Sequence, residues 1–189
     1  MANKSTAPIK KAKTRDAFLN LVRAQHYKYF VIAKFQLNTG LRISDVLGIT
    51  VDEIHMPNGK YREHFVLREI KTGKSKDIYL NQELRYVISH YIAEYSLSGK
   101  DYLFPGRDNS RHVTYRQVMH VFSSAAEDLS IERFGSHSLR KTWGYIAYNQ
   151  TKNIGLLMEV FNHSSSKETL RYIGIDQAEK EALYKMIQI

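Results

Sequence analysis

At 189 residues the chain has room for one domain with a sizeable core and a short appendage at most. Hydrophobic residues at 43% and charged residues at 25% are an ordinary globular balance and exclude wholesale disorder. Twenty-eight Lys and Arg against nineteen Asp and Glu give a net charge of +9, as expected of a chain that neutralises backbone phosphates. There is no cysteine, which excludes disulfides and thiolate metal sites and allows a cytoplasmic setting.

Residues 1–14 read as a flexible basic arm, polar and carrying Lys4, Lys10, Lys11 and Lys13, with no apolar core of a signal peptide. From Asp16 to Asn38 apolar residues recur at helical spacing, which predicts two helices broken near His26. Thr39-Gly40 ends the second, and a short helix runs from Ile43 to Leu47 with Arg42 at its mouth. Between about Thr50 and Leu80 the pattern turns β-rich. Phe65-Val66-Leu67, Ile78-Tyr79-Leu80 and the turn signals Pro57-Asn58-Gly59 and Thr72-Gly73-Lys74 predict a small antiparallel sheet of three strands. Asn81 caps a helix that runs to Leu97, and the polar loop 100–113 follows. Further helices are expected at about 114–129, 136–149, 154–161, 166–173 and 177–187. The last is amphipathic and packs either on its own domain or on a neighbouring subunit. The fold class is thus mainly α with a small antiparallel sheet (α+β), and no apolar run is long enough to cross a bilayer.

Several residues invite a phosphate. His137 and Arg140 lie three apart after Gly135-Ser136, where Ser136 as N-cap puts both in the first turn of a helix, beside amides that favour anions. Lys71 opens a turn between strands, where a lysine is either simply solvated or able to swing into a groove. Arg42 has Asp45 three residues on, to orient it or merely to pair with it. Ser165 with Glu168 fits the capping box of a helix that carries Tyr172, one of thirteen tyrosines.

Thr39-Gly40-Leu41-Arg42-Ile43-Ser44-Asp45, Lys71-Thr72-Gly73-Lys74, Leu103-Phe104-Pro105, His137-Ser138-Leu139-Arg140, His163-Ser164-Ser165 and Arg171-Tyr172 resemble, in order, the motifs of tyrosine recombinases of the phage integrase type. The resemblance covers about residues 14–175, and the intervals from Arg140 to His163 and from His163 to Tyr172 are similar to that family's spacing. Asn162 stands where the family usually has glycine, and Ile173-Gly174 where threonine and histidine are common.

The resemblance implies the tyrosine recombinase catalytic fold over 15–175, with 176–189 left as the C-terminal helix that packs either on its own domain or on a neighbouring subunit. It implies Tyr172 as the nucleophile that forms a 3′-phosphotyrosyl link, Arg42 and Arg140 as the clamp on the non-bridging oxygens, and Lys71 as the general acid. His137 and His163 would assist, and Asp45 would support Arg42. Lys74, Lys76, Arg107, Arg111 and Lys141 are expected to contact DNA. No cofactor or metal is implied. The expected partners are double-stranded DNA, a homotetramer on it and accessory DNA-bending proteins, with no membrane, in integration, excision or inversion. The setting would be the cytoplasm of a bacterium or the host of a phage or mobile element. The family's separate core-binding domain is not found here, so the chain reads either as a single-domain recombinase similar to short fimbrial invertases or as a catalytic fragment. The alternatives are a DNA-binding regulator that keeps the fold without strand exchange, and a monomeric type IB topoisomerase with the same chemistry.

Overall fold

The computed structural model describes residues 5–56, 58–175, 181 and 184–186. Helical spacing of Phe18 with Val22, then of Val31, Ile32 and Phe35, produces α1 (Ala12–Gln25) and α2 (Tyr27–Thr39). They are separated at His26, whose backbone is extended and whose Nδ1 accepts the Lys28 N–H, so that it caps α2. Gly40 ends α2 in the left-handed region at φ 67°, and its N–H closes on the Gln36 carbonyl. A Cβ there would lie 2.5 Å from the Trp143 ring, so glycine answers both the backbone conformation and a close approach.

After the short α3 (Ile43–Leu47), Thr50 and Glu53 form a capping box that starts α4 (Val51–Ile54). β1 (His64–Arg68) and β2 (Ser75–Tyr79) pair antiparallel with Phe65 opposite Ile78. Phe65, Leu67 and Ile78 face the core while His64, Val66 and Arg68 face outward. The sheet therefore has two strands among the described residues, not the three expected. The capping box turns the candidate third strand into helix, and its remainder pairs only through single bridges, His55 with Tyr61 and Thr50 with Tyr102.

The remaining helices are α5 (Gln82–Glu94), capped by Asn81, α6 (Tyr115–Asp128), capped by Thr114, α7 (Ser138–Thr151), α8 (Ile154–Phe161) and α9 (Ser166–Tyr172). α2 lies at the centre, with α1, α3, α5 and α7 packed on it. The main core joins these helices to the inner face of the hairpin. A smaller cluster of Leu157, Phe161 and Ile173, with Trp143 and Tyr172 against it, fastens α8 and α9 to α7. That attachment depends on Gly144, where a Cβ would meet Phe161 and Ile173 at under 3 Å. Among the described residues no helix is long and apolar enough to cross a membrane.

The expected basic arm 1–14 is shorter than the sequence suggested. Residues 1–4 lie outside the described residues, α1 starts at Ala12, and 6–9 are seated on the domain. The Ala7 N–H donates to the Arg133 carbonyl at 2.9 Å, the Ile9 N–H donates to Thr142 Oγ1 at 2.8 Å, and the Ile9 side chain is buried. The helix expected over 176–189 falls largely outside the described residues; Glu181 and 184–186 are helical and exposed.

Gly40→Ala should destabilise the domain by roughly 2–5 kcal/mol, combining a left-handed penalty with overpacking against Trp143. Urea unfolding monitored by Trp143 fluorescence would measure it. A change under about 0.5 kcal/mol, within the range of a neutral surface substitution, would show that Trp143 does not press on Gly40 in solution.

Candidate functional site

Arg42 follows the left-handed Gly40 directly after Leu41 and serves as the N-cap residue of α3, so the end of α2 fixes where its side chain emerges. Arg140 reaches the same corner from the first turn of α7. It is 2% exposed, its Nη1 donates to the Gly40 carbonyl, and its guanidinium stacks 4.7 Å from the centre of the Phe161 ring. One glycine thus places both arginines.

α7 begins slightly later than the sequence suggests. Ser138 is its first residue, His137 occupies the N-cap position without a side-chain cap, and the Ser138 hydroxyl accepts the Gly135 N–H. Ser136 is therefore not the cap. His137 Nδ1 lies 3.2 Å from the Tyr172 hydroxyl. Tyr172 ends α9, which Ser165 caps as expected, although Glu168 turns to Ser164 rather than closing the box on Ser165. The Tyr172 ring is enclosed by Phe161 and His163, with ring centres about 5 Å away, and by the Lys141 ammonium on another side. Burial raises the Tyr172 pKa above its ordinary 10, opposed mainly by Arg140, so without DNA the phenol keeps its proton.

His163 Nδ1 meets Thr169 Oγ1 at 3.1 Å. Because the Thr169 hydroxyl donates to the Ser165 carbonyl, it accepts from Nδ1, which leaves Nε2 unprotonated, 4.0 Å from Glu168 Oε1. Both histidines have pKa values below 6.5. Burial is the first cause for each; Glu168 opposes it at His163, Arg140 and Arg42 add repulsion to both, and Lys71 adds it to His137. Lys71 itself is exposed on the turn between β1 and β2 and makes no hydrogen bond or ion pair among the described residues.

The structure adds a residue that the sequence reading passed over. Glu69 is 1% exposed and forms ion pairs with Arg42 at 2.7 Å and Lys76 at 2.8 Å, and it accepts a hydrogen bond from the Thr72 hydroxyl at 2.6 Å. Asp45, expected to orient Arg42, stands 3.9 Å from it and instead accepts the Ile70 N–H. A signal for Glu69 was present, since it continues the inward alternation of Phe65 and Leu67 with a charge. Burial alone would raise the Glu69 pKa, but Lys76, Thr72 and Arg42 outweigh it and bring it down to about 2. Burial raises the pKa of Asp45.

Among the residues expected to contact DNA, Lys76 pairs with Glu69 and donates to the Val160 carbonyl, and Lys74 donates to Asn162. Lys141 is 6% exposed and donates to the Thr6 carbonyl, so it ties down the N-terminal segment. These three are engaged within the protein. Arg107 and Arg111 are exposed on the loop between α5 and α6, and among the described residues no contact joins them to the cluster. Among the described residues no three His, Asp or Glu side chains group as a metal ion would need.

The sequence model of the phage integrase family matches residues 9–179. The chain is 34% identical over 158 residues to the probable integrase/recombinase YoeC of Bacillus subtilis (strain 168), covering 84% of this chain and 83% of that one. It is 27% identical to a probable integrase/recombinase of Acholeplasma phage L2, covering 83% of this chain and 51% of that one. The fold is similar to that of the XerH site-specific recombinase in a post-cleavage complex with its difH substrate, with a TM-score of 0.76 at 17% identity. That match covers 97% of this chain and 53% of the other, so this chain spans about half the length of XerH and of the phage relative.

Asp45 and Glu69 should titrate in reverse of their ordinary order, Asp45 above 3.8 and Glu69 near 2. Because the Glu69 pKa is depressed from 4.5, the stability it contributes is complete above pH 4.5 and is lost as the pH falls toward 2. Carboxyl carbon shifts followed by NMR between pH 2 and 6 would read both groups. Glu69 titrating at or above 4.5 would mean that its pairing with Arg42 and Lys76 does not hold in solution.

Proposed function

The chain belongs to the phage integrase family, and from that premise we propose that it is a site-specific recombinase that cuts and rejoins double-stranded DNA through a 3′-phosphotyrosyl intermediate. The observation that carries this reading is the approach of Tyr172 to His137 at 3.2 Å in the corner shared by Arg140 and Arg42. A nucleophile, a proton acceptor and two guanidiniums meet where a phosphodiester needs them.

In this reading Tyr172 attacks the scissile phosphorus and its proton passes to His137 Nδ1. The imidazole is neutral at pH 7 because its pKa is lowered, so it is ready to accept. The bond from phosphorus to the 5′-oxygen breaks, and that oxygen takes a proton from the Lys71 ammonium. Lys71 suits the task because nothing among the described residues holds it back. Arg42 and Arg140 hold the non-bridging oxygens, where charge grows in the transition state. Arg140 uses Nη1 on the Gly40 carbonyl, which fixes its plane and leaves other donors for the phosphate. A phosphate beside His163 raises its pKa again, so Nε2 can donate to an oxygen.

Rejoining runs the same steps backwards with the 5′-hydroxyl of another strand. One phosphodiester is exchanged for another through the tyrosyl ester, so no nucleotide energy source is required. The clustered cations supply the charge stabilisation that a divalent metal gives other phosphoryl-transfer sites. Exchange between two duplexes calls for four protomers, which makes a homotetramer on DNA the assembly this reading proposes. The C-terminal residues 176–189 are the segment proposed to join neighbours, and DNA-bending proteins are candidate accessories. Integration, excision and inversion are all served by this chemistry.

Nicked duplexes drawn from a library randomised around the break should be captured covalently by the wild-type chain. Tyr172→Phe should capture none, and Arg140→Ala should cleave roughly 10²–10³-fold more slowly. Cleavage should persist in EDTA. Duplex binding without an adduct from wild type would point to a regulator, and relaxation of supercoiled plasmid without a specific site would point to a topoisomerase. Loss of cleavage in chelator, restored by magnesium, would overturn the metal-free mechanism.

A further inference from the structure

Glu69 has no part in the chemistry proposed above, yet it touches most of what that chemistry needs. Its carboxylate pairs with Arg42, which belongs to the start of α3, and with Lys76, which belongs to β2. Lys76 in turn donates to the Val160 carbonyl in the last turn of α8, just before the segment that carries His163. The Glu69 backbone closes the turn that presents Lys71, since its carbonyl accepts the Gly73 N–H at 2.8 Å and its N–H donates to the Lys74 carbonyl at 2.9 Å. The Thr72 hydroxyl anchors the same turn to its carboxylate. Arg42 Nη1 and Glu69 Oε1 are buried and make no directed hydrogen bond, so their 2.7 Å contact is held by charge.

We propose that Glu69 is the positioning residue of this site, holding Arg42, the Lys71 turn and the end of α8 in one fixed arrangement before DNA arrives. Without its charge, Arg42 and Lys76 repel each other and Arg140, and the phosphate meets a loose set of donors. The proposal takes from the recombinase reading the reaction that Glu69 serves, but not the contacts by which it serves it. A carboxylate that only completed the core would affect folding without separating binding from cleavage.

Wild type, Glu69→Gln and Glu69→Asp are compared on the nicked duplex recovered by wild-type capture. Glu69→Gln should bind it at least as tightly at fixed salt, because a negative charge has left the site, and should cleave about 100-fold more slowly in a single turnover. Glu69→Asp, which keeps the charge on a shorter stem, should recover part of that rate. Cleavage by Glu69→Gln at the wild-type rate would overturn the proposal. So would a joint loss of affinity and rate that tracks a lower Tm without recovery by Asp. Phenylglyoxal labelling of the DNA-free chain, read by mass spectrometry, tests the contact without any cleavage. Arg42 should label faster in Glu69→Gln than in wild type while Arg107 labels alike in both. Equal labelling of Arg42 overturns the proposal. Failure of the wild type to form any adduct overturns the recombinase reading, and the labelling then decides the proposal by itself.

Discussion

The ion pair between Arg42 and Glu69, 2.7 Å across and hidden from solvent, is the interaction that lets the other cations gather. Arg42, Arg140, Lys71 and Lys76 all act on the same pair of histidines or on one another, and each disfavours its neighbour's charge. Like charges near a protein surface cost on the order of 4 kcal/mol at 4 Å. A single buried carboxylate facing two of them offsets much of that cost. Burial lowers the pKa of His137 and His163 first of all, and the same repulsion adds to it.

Gly40 supplies the geometric counterpart of that electrostatic centre. Its left-handed backbone ends α2, aims its carbonyl at Arg140, and leaves room for the Trp143 ring. α7 can then lie close on α2, which brings His137 and Arg140 up to Arg42. Tyr172 is held by a smaller and separate cluster, on a seven-residue helix fastened to α7 across Gly144. The proposed nucleophile thus rides on a smaller apolar cluster than the main core. Lys141 joins the N-terminal segment to α9 at this point, bonded to Thr6 and lying over the Tyr172 ring.

Much of this was legible in the residues themselves. The break at His26, the short helix after Arg42, the Asn81 and Ser165 caps and the His-x-x-Arg spacing all follow from local chemistry, and the structure reproduces them. The third strand was misread because Thr50 and Glu53 make a capping box, a local signal that outweighed the β-rich composition around it. Ser136 was misread as a cap because Ser138 turns back to Gly135 instead. Lys74, Lys76 and Lys141, expected to contact DNA, have partners within the protein that the sequence did not reveal, since a lysine's partner lies wherever folding brings one and leaves no local trace.

By itself the sequence pointed to the side chains proposed to carry the chemistry and determined on which elements they ride, because caps, glycine breaks and apolar periodicity act within a few residues. Only the tertiary structure decided how those elements meet. Glu69 finds Arg42, twenty-seven positions away in the chain, and Tyr172 finds His137, thirty-five positions away, through packing of hairpin and helices. Charge pairing across such separations depends on where the core places each backbone. That is why Asp45, the near neighbour, gave way to Glu69, whose strand alternation turned it inward.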